Sequence, residues 1–120
     1  MKSIYLSGGM KGKWQDLVIA RVSMNAVVYD PRTHNLSEPK QYTIKDLLEV
    51  KKCDILFAFM EKDNPSGYGL SLEVGYAKAL DKVIILVNES NNKYFPIVEC
   101  SSSIVFRNLL EGIHFLESII

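Results

Sequence analysis

Asp54-Ile55-Leu56-Phe57-Ala58-Phe59-Met60 is the stretch that decides the fold. The unbroken apolar run between Asp54 and Glu61 is too short to cross a bilayer and lacks the alternation of a strand with one wet face. It reads as a central parallel strand with helices on both sides. Moving outward, Val83-Ile84-Ile85-Leu86-Val87 is a second run of this kind. Ile4-Tyr5-Leu6, ending at Ser7-Gly8-Gly9, and Ala26-Val27-Val28-Tyr29, closed by Asp30-Pro31, are shorter ones, and Ile104-Val105-Phe106 is the last.

The segments between the strands carry helical periodicity. Trp14, Leu17, Val18, Val22 and Met24 predict a first helix, and Ile44, Leu47, Leu48 and Val50 predict a second, capped by Thr43 with Asp46 in its first turn. Leu70 to Leu80 and Leu109 to Ile119 supply two more. His34 to Gln41, Glu61 to Gly69 and Asn88 to Pro96 are polar and broken by Pro or Gly, so they read as loops. The order β-α-β-α-β-α-β-β-α calls for a three-layer α/β domain with a five-stranded, mainly parallel sheet and ligands at the carboxyl ends of its strands.

Composition narrows the function classes. The 120 residues are 48% hydrophobic and 23% charged, which suits one globular domain and excludes disordered or collagen-like classes. Fourteen Lys and Arg balance fourteen Asp and Glu, so no global field draws the chain to nucleic acid polymers or anionic membranes. With no membrane-length apolar run and no cleavable signal pattern after Met1-Lys2-Ser3, the expected location is the cytoplasm. Cys53 and Cys100 lack metal-ligand spacing and read as reduced core thiols.

Two segments carry chemistry. In Ser7-Gly8-Gly9-Met10-Lys11-Gly12-Lys13 a glycine turn between strand and helix offers backbone amides to an anion or a sugar hydroxyl, or is simply a tight turn. It matches neither the P-loop nor the Gly-x-Gly-x-x-Gly fingerprint. In Asn64 to Ala77 a flexible loop delivers Glu73 into the first turns of a helix, with Gly75 and Ala77 as small residues for close approach to the sheet. A glutamate there serves either as a reactive carboxylate or as a partner of the helix dipole. Arg32, just past Asp30-Pro31, points toward the cleft expected at the strand ends; His34 is a general-acid candidate that reads more readily as solvated, Trp14 lines the pocket or, the commoner use, packs helix one, His114 reads as packing, and Asp54 as a local cap.

Ile4-Tyr5-Leu6-Ser7-Gly8, Asp46 with Asp54, and Gly69-Leu-Ser-Leu-Glu73-Val-Gly75-Tyr-Ala77 together resemble the nucleoside 2-deoxyribosyltransferase family and the related deoxynucleoside 5′-monophosphate N-glycosidases. The resemblance implies one flavodoxin- or Rossmann-like domain over residues 1–120. It implies Glu73 as nucleophile on the anomeric carbon, Tyr5 positioning that carboxylate, and Asp46 serving the sugar and the leaving base. Ser7, Gly8, Gly9, Met10, Arg32, Ser66, Gly67 and Gly69 are the expected substrate contacts. No metal or organic cofactor is required, because a carboxylate beneath the sugar stabilises an oxocarbenium-like transition state and then bonds to C1′.

The resemblance also implies a homo-oligomer with a shared active site, for which Asn88, Asn92 and Tyr94 are available polar residues. The chain departs from the family at Gly67, where many deoxyribosyltransferases carry an aspartate and the monophosphate hydrolases a serine; Ser66 stands one place away. The expected activity is transfer of 2-deoxyribose between nucleobases. Hydrolysis of a nucleoside 5′-monophosphate, with Gly8, Gly9, Ser66 and Arg32 on the phosphate, and a silent nucleotide-binding module are the alternatives.

Overall fold

The computed structural model describes residues 1–120. Its elements run β1 (Lys2–Gly8), α1 (Trp14–Val22), β2 (Ala26–Tyr29), a 3-10 turn (Pro31–Thr33), α2 (Pro39–Lys52), β3 (Ile55–Met60), α3 (Tyr68–Ala79), β4 (Val83–Asn88), α4 (Pro96–Ser101), β5 (Ile104–Phe106) and α5 (Leu109–Ile119). The five strands form one sheet in the order β2-β1-β3-β4-β5, and every pair is parallel. The Ile55–Met60 run is the central strand and is buried along its whole length.

Because side chains alternate across a strand, each strand feeds two cores. Ile4, Leu6, Phe57, Phe59, Ile85 and Val87 face α1 and α5, meeting Trp14, Val18, Val22, Ile113 and Leu116. Tyr5, Leu56, Ala58, Met60, Ile84 and Leu86 face α2, α3 and α4, meeting Val50, Leu70, Val74, Ala77 and Val98. Each fully buried aliphatic or aromatic side chain contributes about 1.5–3 kcal/mol, so these two layers are the main stabilising force.

Close approach requires glycine at two points. A Cβ on Gly8, whose φ is 151°, would lie 2.5 Å from the Phe59 carbonyl oxygen. A Cβ on Gly112 would lie 2.3 Å from Val87 Cγ2, so α5 seats directly on β4.

Several boundaries depart from the sequence reading. α2 begins at Pro39, with Glu38 as N-cap, because proline's fixed φ suits the first helical position. Thr43 therefore lies inside the helix, and Asp46 sits in its middle instead of its first turn. α4 was not expected at all; it is six residues long and buries only Val98. Met24 lies beyond α1 and is exposed. Gly75 does not bring α3 to the sheet, since a Cβ there would meet nothing within 4 Å; Ala77 does, being fully buried. Cys53 is buried as expected, but Cys100, carried on α4, is exposed, and His114 is exposed on α5.

Candidate active site

Strand order reverses between β1 and β3, since the chain leaves β1 toward β2 and leaves β3 toward β4. Ligands in open parallel sheets bind at the carboxyl ends of the strands at such a point. Here the carboxyl end of β1 presents Tyr5 and Ser7, two positions apart and therefore on one face. Both aim at the second turn of α3. The Tyr5 hydroxyl donates to Glu73 Oε2 at 2.6 Å, and the Ser7 hydroxyl donates to Glu73 Oε1 at 2.6 Å.

The carboxylate is thus fixed at both oxygens. Burial raises the Glu73 pKa from 4.5 to about 7, with the Asp46 charge adding to the rise and the Ser7 and Tyr5 hydrogen bonds opposing it. Burial, and then the Glu73 charge, drive the Tyr5 hydroxyl far above its ordinary range, so it remains a proton donor in this pair. The Tyr5 ring stacks on Tyr29 at 5.6 Å between centroids, which fixes its direction along the sheet.

Glu73 opens onto a cleft of about 610 Å³ lined by Gly8, Met10, Pro31, Arg32, His34, Asn35, Leu36, Tyr42, Asp46, Gly69 and Leu70. That volume suits a small organic molecule. Opposite α3, α2 contributes Asp46, whose side chain is 13% exposed and whose pKa is raised chiefly by burial. Its Oδ1 lies 3.4 Å from His34 Nε2, and the His34 charge, when present, acts to lower that pKa. His34 Nδ1 accepts the Leu36 backbone N–H at 2.9 Å, so in the neutral ring the proton sits on Nε2, toward Asp46. The imidazole lies parallel to the Tyr42 ring, 6.5 Å away.

The cleft therefore brings together Glu73, Asp46, Gly8, Met10, Arg32 and Gly69 from the expected set, with Tyr5 and Ser7 reaching it through Glu73. Ser7 holds the carboxylate, whereas the sequence reading placed it on substrate. Arg32 lines the cleft, but its guanidinium is bound at 2.7 Å to Asp30 Oδ2 and at 2.7 Å to Asp16 Oδ1. Gly9 and Ser66 line an adjoining cavity of about 440 Å³ with Met10, Lys11, Glu61 and Asp63. Gly67 is buried against Met60, where φ of 76° starts α3.

Asn88 donates to Glu99 and accepts from Ser90, and Asn92 accepts from the Tyr94 backbone, so both asparagines are engaged within the β4–α4 connection. Sequence reasoning weighed His34 as a general acid but favoured a solvated loop residue, and it missed Tyr42; both line the cleft. The signal available for His34 was its place two residues beyond Arg32, in the connection leaving the carboxyl end of β2. No group of three or more His, Cys, Asp or Glu side chains is arranged to hold a metal ion, and no helix is long and apolar enough to cross a membrane.

A parallel α/β sheet with a part-buried, hydroxyl-clamped glutamate beside a cleft at its switch point defines a Rossmann-like domain. Solved structures share this architecture. The 2-deoxyribosyltransferase of Bacillus psychrosaccharolyticus superposes with a TM-score of 0.73 at 20% identity, over 91% of this chain and 88% of that one. The CMP N-glycosidase of Clostridium botulinum gives a TM-score of 0.70 at 22% identity, over 99% and 100% of the two chains. The 2-desoxiribosyltransferase of Leishmania mexicana gives 0.73 at 15%, over 98% of each chain. No family model and no curated protein matches the chain. At these identities the likeness is one of fold, and it extends over nearly the full length.

Proposed function

We propose that this chain cleaves the N-glycosidic bond of a nucleoside through a covalent intermediate on Glu73 and transfers the 2-deoxyribosyl group to a second nucleobase. The observation that carries the reading is the Glu73 carboxylate held by the Tyr5 and Ser7 hydroxyls at the edge of the cleft. A carboxylate so fixed keeps a lone pair on each oxygen for attack while its rotation is frozen. The named activities of the three neighbours above belong to this reaction class.

In the first displacement a Glu73 oxygen bonds to C1′ as the C1′–N bond breaks, and the electron pair leaves on the base nitrogen. Asp46 is the proton source for that nitrogen, a role supported by the burial that raises its pKa. In the second displacement a nitrogen of the incoming base attacks C1′, the Glu73 ester bond breaks, and the base proton passes back to Asp46. Tyr5 and Ser7 stay on the carboxylate and position it. Gly8, Met10 and Gly69 shape the sugar end of the cleft in this reading, and Arg32 stiffens its rim.

Water in place of the incoming base would make the same site a hydrolase, the reading favoured by the full-length fold match to the CMP N-glycosidase. The decisive test is intact-protein mass spectrometry after incubation with a 2′-fluoro-2′-deoxynucleoside. A glycosyl adduct on wild type and none on Glu73→Gln is expected. Absence of an adduct, together with undiminished base release by Glu73→Gln, would overturn the proposal. Base release with and without a second base then separates transfer from hydrolysis.

A further inference from the structure

We infer that Glu61 is a specificity-determining residue that bars a 5′-phosphate and restricts the site to unphosphorylated nucleosides; this rests on the N-glycosidic reading above. The turn between β1 and α1 joins the two cavities, since Met10 lines both, Gly8 lines the main cleft and Gly9 the adjoining one. A substituent extending from the cleft along this turn passes Gly9. A carboxylate already stands there. A Cβ on Gly9 would lie 2.9 Å from Glu61 Oε1, and one on Gly12 would lie 3.2 Å from Glu61 Oε2. The bare backbone at these two positions makes room for the Glu61 head group, in the place where an anion would otherwise approach the turn.

The surrounding charges reinforce the exclusion. Asp63 lines the same cavity as Glu61, against Lys11 as its one lining cation. Arg32, the one Lys or Arg lining the main cleft, is bound to both Asp30 and Asp16 and offers no net positive charge. A phosphate monoester carries between one and two negative charges near neutral pH and would meet these carboxylates as a like charge. A neutral 5′-hydroxyl can instead donate a hydrogen bond to a carboxylate at this place.

The test compares one deoxynucleoside with its 5′-monophosphate, by calorimetric binding and by kcat/KM, in wild type, Glu61→Gln and Glu61→Ser. Wild type is expected to favour the nucleoside by at least about a hundredfold, the size of a like-charge conflict at a binding surface. In both variants the preference is expected to contract by at least about tenfold. Each preference is a ratio within one protein, so partial loss of folded material cancels. A monophosphate bound or cleaved as well as the nucleoside by wild type overturns the inference, as does an unchanged ratio in a variant. Turnover of neither compound with the binding preference intact would overturn the catalytic reading and leave the exclusion standing. Turnover with the opposite preference would do the reverse.

Discussion

The Tyr5 hydroxyl and the Glu73 carboxylate are 68 positions apart in the chain and 2.6 Å apart in space. Strand β1 and helix α3 are joined there by a short, charge-assisted hydrogen bond, of a kind that contributes about 1.5–3 kcal/mol. In the proposed reaction, removing it acts on the nucleophile directly. Tyr5→Phe is expected to lower kcat/KM by about 10- to 100-fold, the same energy expressed as a rate. The hydrogen bond lowers the Glu73 pKa, so its loss moves the acid limb of the pH–rate profile upward from about 7. Ser7→Ala should move it in the same direction, and a limb that stays in place in both variants would contradict the assigned role.

Glu73 should also cost stability where it is ionised. Its pKa in the folded protein is about 7 against an ordinary 4.5, so the folded state binds the proton more tightly than the unfolded chain. Stability therefore falls as pH rises from about 4.5 to 7, and the cost is fully present above that window. Glu73→Gln is expected to exceed wild type by on the order of 3 kcal/mol at pH 8 and to show little advantage below pH 4.5. Urea unfolding at the two pH values measures this difference. A gap independent of pH would show that the carboxylate is not held as described.

Asp46→Asn removes the proposed proton donor while nearly preserving shape. Base release should fall by about 10²- to 10⁴-fold, with the larger losses for bases that leave poorly as anions. A series of nucleosides graded by leaving-group acidity reads this dependence. Equal losses across the series would assign Asp46 to binding.

Gly112→Ala tests the packing of α5 on β4. The added methyl would overlap Val87 Cγ2, so the helix must shift, at a cost of about 1–3 kcal/mol for an overpacked core. Chemical denaturation should show the loss. An unchanged midpoint would mean that the helix is free to move.

The parts of this molecule that were legible in the sequence are those specified by local pattern. The Asp54–Met60 run became the central strand because continuous burial on both faces requires continuous apolarity. Glu73 stood out as a carboxylate near a helix start, while its partnership with Tyr5 came only from the resemblance of short motifs to a known family. What could not be read depends on groups distant in sequence. Arg32 faces the cleft region as expected, but its charge is taken up by Asp30 two residues away and by Asp16 on α1, a partner that no local pattern announces. His34 reads as a solvated loop residue until α2 brings Asp46 within 3.4 Å of it. α4 buries only Val98 and so leaves too short an apolar stripe to detect, and Gly75 turned outward because α3 rests on Leu70, Val74 and Ala77.

The placement of Tyr5 and Ser7 on alternate residues of one strand ties the holding of the Glu73 carboxylate to the pairing of that strand. A slip of β1 by one residue would turn both hydroxyls to the α1 and α5 side and deliver Ile4 and Leu6 to the carboxylate instead. The Ile4-to-Ile55 pairing with β3 thus works as an alignment key, so that a misthreaded sheet, even a compact one, would emerge without the two hydroxyls on Glu73.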